Sequence, residues 1–160
     1  RMANGDLIPY NLNRYASDLK MHISNAETKI SLYNNDFDGF NKTLKAIQSL
    51  EKTSEKLTQK IKSYLVDTDL SKKELSNLNK QLIALEKSFI SDNGMYFGSW
   101  YRSLYASSDP FSGYAAWILP GLEYEIALKA SDRLEEWDYR YSEAINSLNL
   151  KMNELIIDLN

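Results

Sequence analysis

The sequence predicts an all-α fold, an elongated three- or four-helix bundle with long antiparallel helices and a small aromatic-rich helical insertion. Three observations carry that prediction. Apolar residues recur in steps of four and three over most of the chain, which gathers them on one helix face. No segment shows the strict apolar–polar alternation of a half-buried strand. One stretch, 93–122, departs from the helical pattern: eight of its thirty residues are aromatic and only Arg102 and Asp109 are charged. It also holds four of the six glycines and two of the three prolines. The whole chain, 1–160, reads as one helical-bundle domain, with helices over 10–91, the insertion over 92–121 and a C-terminal helix over 120–160.

Residues 1–9 read as a loose polar leader, with Pro9 placed to precede or open a helix. The chain begins at Arg1 without a secretory apolar segment, which is read as a processed chain or an excised domain. From Leu12 the seam runs Leu12, Ala16, Leu19, Ile23, Ala26, Ile30, Tyr33, Phe37, Phe40, Leu44, Ile47. The residues at 34–39 (NNDFDG) are poor helix formers, yet the seam crosses them in register. The pattern therefore favours a single long helix over 10–66, with a hairpin at 34–39 as the alternative. The seam continues through Leu50, Leu57, Ile61, Tyr64 and Leu65 until Asp67-Thr68-Asp69 breaks it. Ser71 and Glu74 form a capping box that starts the next helix, which carries Leu75, Leu78, Leu82, Leu85 and Phe89. Asp92-Asn93-Gly94 stops it.

Within the insertion, 95–106 is expected as a short helix. Asp109 and Pro110 read as an N-cap and first residue of a second one, to about Leu119. The last helix carries Leu122, Ile126, Ala130, Leu134, Trp137, Tyr141, Ala144, Leu148, Met152, Leu155 and Leu159 without interruption, with Glu136 and Arg140 as an i,i+4 pair. Residues 41–91 carry ten lysines against six acids, and 120–160 four basic residues against nine acids, so these two segments are expected as neighbours.

Composition narrows the function more than it names it. A net charge of −3 argues against a nucleic-acid binder. Zero cysteines exclude disulfides and thiol chemistry, and leave the compartment open. No run reaches the ~18 apolar residues of a transmembrane helix. The single histidine, His22, reads as a boundary residue of the first helix, so neither a metal site nor a cofactor is expected. There is no phosphate-cradle, nucleotide or nucleophile-elbow motif. The acid groups Asp36/Asp38 and Asp67/Asp69 read as turn chemistry. Asp132, Glu135, Glu136 and Asp138 read as a solvated helix face, and no enzyme is expected.

The aromatic stretch remains. Its candidates for partner binding are Tyr96, Phe97, Trp100, Tyr101, Tyr105, Phe111, Tyr114 and Trp117, because Tyr and Trp supply contact area at small entropic cost. Folding them inward as a satellite core is the structural alternative. The leading expectation is a non-enzymatic interaction or assembly protein, docking a protein partner or a second copy through 93–122. A membrane-active bundle with an apolar tongue and an extracytoplasmic sensory bundle with a small-ligand pocket are the alternatives. In layout alone, long helices with a small appendage, the chain resembles the minor-pilus subunits of conjugative type IV secretion systems. That resemblance implies a bacterial assembly component, exported or at the cell surface rather than cytoplasmic.

Overall fold

The computed structural model describes residues 7–67 and 70–159. It is mostly helical, with helices α1 (Asn13–Ser31), α2 (Asn41–Asp67), α3 (Lys72–Leu85), α4 (Pro120–Leu128) and α5 (Leu134–Asp158). A 3-10 turn, Glu86–Phe89, follows α3, and one antiparallel pair of short strands, β1 (Ala106–Ser108) and β2 (Ala116–Ile118), lies before α4. The expected leader falls mainly on 1–6, and Thr68 and Asp69 of the expected break at 67–69 also lie outside the described residues.

The seam residues form the core. Leu19, Ile23 and Ile30 of α1, Leu50 and Leu57 of α2, Leu82 and Leu85 of α3, and Trp137, Tyr141, Leu148 and Met152 of α5 are all buried. Leu65, assigned to the seam, points outward instead. Helix α2 packs on α1 and on α5, so the lysine-rich and acid-rich segments are neighbours as expected. Among the described residues their one ion pair, Lys42–Glu135 at 3.5 Å, is exposed, so apolar burial rather than charge holds them together. Helices α3 and α5 run antiparallel, with Gln81 bonded to Asp158 and Lys151 to Ser88.

The long first helix is corrected to two. α1 ends at Ser31 and α2 starts at Asn41. Gly39 takes a left-handed φ of 86°, where a Cβ would meet the Glu27 carboxylate at 2.9 Å. Two carboxylates from elsewhere satisfy the freed donors. Glu27 accepts from Phe40 N at 2.8 Å, and Asp138 of α5 accepts from Lys42 N at 3.0 Å and Thr43 N at 2.8 Å. The seam kept register through the turn because Tyr33 and Phe37 also pack against the core, Phe37 edge-on to Phe40 at 4.8 Å.

The last helix is also corrected to two. Lys129 adopts φ 51°, ψ 37° and ends α4, with Ala130 N donating to Glu125 O at 2.9 Å. The solvated acid face is corrected for Asp138, which is buried and caps α2. The Glu136–Arg140 pair is replaced: Glu136 accepts from the Tyr96 hydroxyl, and Arg140 donates to Gly94 O at 2.8 Å and Ser91 Oγ at 3.1 Å. The capping box stands as predicted, with Ser71 Oγ accepting from Glu74 N at 3.3 Å.

Candidate functional site

The insertion is a hairpin held by turns, not two short helices. Asp109 is the reason. Its carboxylate caps no helix; it accepts from Phe111 N at 2.9 Å, Ala115 N at 2.9 Å, Ser112 N, and Ser112 Oγ at 2.6 Å. Backbone bonds Asp109 N to Ala115 O and Gly113 N to Asp109 O close the same loop, and Gly113 supplies the required left-handed residue at φ 75°. The hydroxyl of Ser112 and then the amides of the turn hold the Asp109 carboxyl well below the usual carboxylate range. A side chain that satisfies this many local donors outcompetes the helix it was expected to start.

The strand that enters the hairpin is tied to the segment following α3, and the β1–β2 pairing extends by one more rung at its base. Ser91 N bonds to Arg102 O and Leu104 N to Phe89 O, each at 2.8 Å, and Leu119 N bonds to Tyr105 O at 2.8 Å. Leu119 itself has φ 54° and sits buried ahead of Pro120, so the turn into α4 is set by a residue in a costly conformation.

The eight candidate aromatics divide into four groups. Phe97, Phe111 and Trp117 form a closed ring of four with Tyr124 of α4. Centroids lie at 5.0 Å (Phe97–Tyr124), 6.0 Å (Tyr124–Phe111, stacked at 15°), 5.8 Å (Phe111–Trp117) and 6.3 Å (Trp117–Phe97). Tyr101 extends the cluster from Phe97 at 4.8 Å and Trp100 caps it at 4.3 Å. Each such pair contributes about 0.5–1.5 kcal/mol beyond area burial. The outer members of the cluster remain in solvent: Trp100 is 75% exposed and Phe111 63%. Tyr114 at the tip is 96% exposed and, among the described residues, has no ring partner.

The other two candidates belong elsewhere. Tyr96 lies edge-on to Trp137 at 5.7 Å with the Arg133 guanidinium 4.6 Å from its ring. Its hydrogen bond to Glu136, then its partial burial, raises its pKa. Tyr105 packs on Phe89 at 5.5 Å, on the side of the hairpin that faces α1.

Sequence reasoning missed Tyr124, two residues beyond the stretch, and a clamp beneath the cluster. Glu125 is fully buried, and it accepts two bonds from Arg133 at 2.8 and 2.9 Å and one from Trp137 Nε1 at 3.0 Å. This pair joins α4 to α5 across the break at Lys129, and Gly121 allows the approach: a Cβ there would lie 2.5 Å from the Trp137 ring. Among the described residues no group of three His, Asp or Glu could hold a metal ion, and no helix is long and apolar enough to cross a membrane. The geometry presents an aromatic surface whose outer members, Trp100, Phe111 and Tyr114, are exposed.

A family model, the transferrin receptor-like dimerisation domain, matches residues 38–153, most of the chain. The match covers α2, α3, the hairpin, α4 and most of α5. No curated protein matches the chain.

Proposed function

From the premise that the chain belongs to the transferrin receptor-like dimerisation-domain family, we propose that it is a non-catalytic association module, and that copies pair through the aromatic surface of the hairpin. The observation that supports this reading is the exposed edge of an otherwise well-packed cluster. Trp100, Phe111 and Tyr114 stand in solvent while Phe97, Trp117, Tyr124 and the Asp109 turn fix their positions. A preorganised aromatic patch loses little entropy on docking, and that is where binding hot spots concentrate. A place in an exported apparatus, which the layout resemblance implied, is a finer proposal resting on that resemblance alone.

A second reading is favoured by α5. Its outward face carries Tyr139, Leu150 and Ile157, 55%, 61% and 69% exposed, at spacings of eleven and seven residues that align them along one stripe. Sedimentation velocity on three proteins separates the two. The hairpin reading expects a dimer for the wild type and for Leu150→Glu/Ile157→Glu, and a monomer for Phe111→Ser/Tyr114→Ser. The reverse pattern moves the interface to α5, and a wild-type monomer at high concentration removes self-association altogether.

A further inference from the structure

A cavity of about 630 Å³ lies on the α1 side of the hairpin, away from the aromatic cluster. Three chain segments far apart in sequence make its walls: the start of α1, the 3-10 turn after α3, and residues 103–105 entering the hairpin. Its size suits a compact organic ligand. Aromatic side chains supply its apolar surface: Phe89 is buried, and Tyr15 and Tyr105 are half-buried against the core. Two carboxylates, Glu86 and Asp18, stand on the lining, with Arg14 as the one cation among the described residues.

The charges do not balance. Arg14 is paired with Asp18 at 3.2 Å. Glu86 accepts the Tyr10 hydroxyl at 2.8 Å, a neutral donor, and among the described residues no cation pairs with it. Among the described residues the lining therefore carries one net negative charge beside aromatic rings, the two features that together attract a cation with an apolar body. Burial and then the Glu86 charge raise the pKa of Tyr15, and burial and then Asp18 raise that of Tyr105.

We propose that this cavity is a binding site for an organic ammonium, its charge held against Glu86 and its apolar body laid over Tyr15, Phe89 and Tyr105. The site is separate from the association surface and does not depend on it. An anion is disfavoured because Arg14 is already engaged, and an uncharged aromatic would leave the Glu86 charge unused.

The test is a titration of benzyltrimethylammonium followed by amide chemical shifts, with benzyl alcohol as the uncharged control. The expected result is saturable binding with shifts centred on 10–18, 86–90 and 103–105, and much weaker binding of the alcohol. Glu86→Gln, an exposed position where the amide oxygen can still accept from Tyr10, is expected to weaken the ammonium roughly fivefold to thirtyfold. Asp18→Asn, which frees Arg14, is expected to weaken it as well. Equal affinity for the alcohol, an unchanged Kd in Glu86→Gln, shifts located elsewhere, or no saturable binding would each overturn the proposal.

Discussion

Replacing Asp138 by Ala tests how the two halves of the helical body are joined. The Asp138 carboxylate lies on α5, ninety-five residues from the α2 first-turn amide of Thr43 that it caps. The substitution removes acceptors at 3.0 and 2.8 Å from Lys42 N and Thr43 N, while the bond from Thr43 Oγ1 to the Asp138 carbonyl at 3.0 Å survives. Thr43 is fully buried, so water does not replace the lost partner. Leaving one buried amide unsatisfied costs about 1–3 kcal/mol. Loss of the cap and of the charge at the helix N-terminus adds about 1 kcal/mol. A destabilisation of about 2–4 kcal/mol is expected, which for a chain of this length lowers Tm by about 5–15 °C. Asp138→Asn keeps one acceptor oxygen and should lose about half as much. Thermal unfolding followed by tryptophan emission and by far-ultraviolet dichroism measures both variants. A Tm for Asp138→Ala within about a degree of wild type would refute the reasoning, since it would mean that α2 starts equally well without its partner.

Three further expectations follow from particular positions. Gly121→Ala places a methyl group 2.5 Å from the ring of Trp137, which Glu125 pins through Nε1, so a loss of about 1–3 kcal/mol is expected in chemical denaturation. Lys129→Gly relieves an exposed left-handed residue at φ 51° and should raise stability by about 0.5–1 kcal/mol, read as a higher urea midpoint with an unchanged slope. The Asp109 carboxyl has a folded pKa depressed below its unfolded value. Its contribution to the hairpin is therefore fully present above about pH 4 and is lost only as pH falls through the lower, folded value. Amide exchange at Ser112 and Ala115, measured by NMR and corrected for intrinsic rates, should show protection unchanged from neutrality to about pH 4; loss of protection within that range would contradict the assignment.

The sequence carried most of the core and little of its connectivity. Residues such as Leu19, Ile23, Leu82, Trp137 and Leu148 announced themselves by spacing, because a helix buries one face whatever it packs against. Ser71 and Glu74 were legible because both partners of a capping box lie within one turn. The break between α1 and α2 was misread because the half-buried Tyr33 and Phe37 continue the apolar pattern through the turn, and because Asp138, which makes the second helix start possible, lies far along the chain. The break at Lys129 left no apolar signal, since Ile126, Ala130 and Leu134 keep step across it. The hairpin had a local sign that the helical reading passed over: Asp-Pro-Phe-Ser-Gly at 109–113 is turn chemistry as much as a helix start. The aromatic composition marked 93–122 as a stretch apart from the helices. Its division into a cluster, an exposed tip, a ring on α5 and a wall of the α1 cavity depends on tertiary contacts that no spacing rule contains.

The account turns on copies meeting at the hairpin. The chain has no cysteine, so a single introduced one carries a spin label without interference. The most direct measurement is the dipolar coupling between labels on two copies, with Ser108→Cys beside the hairpin tip and Lys62→Cys on α2 as the distant reference, both at exposed positions. The account predicts a short, narrow distance distribution for Ser108→Cys and a longer one for Lys62→Cys. A dimeric sample in which Ser108→Cys shows no short distance would contradict it and place the contact on another face.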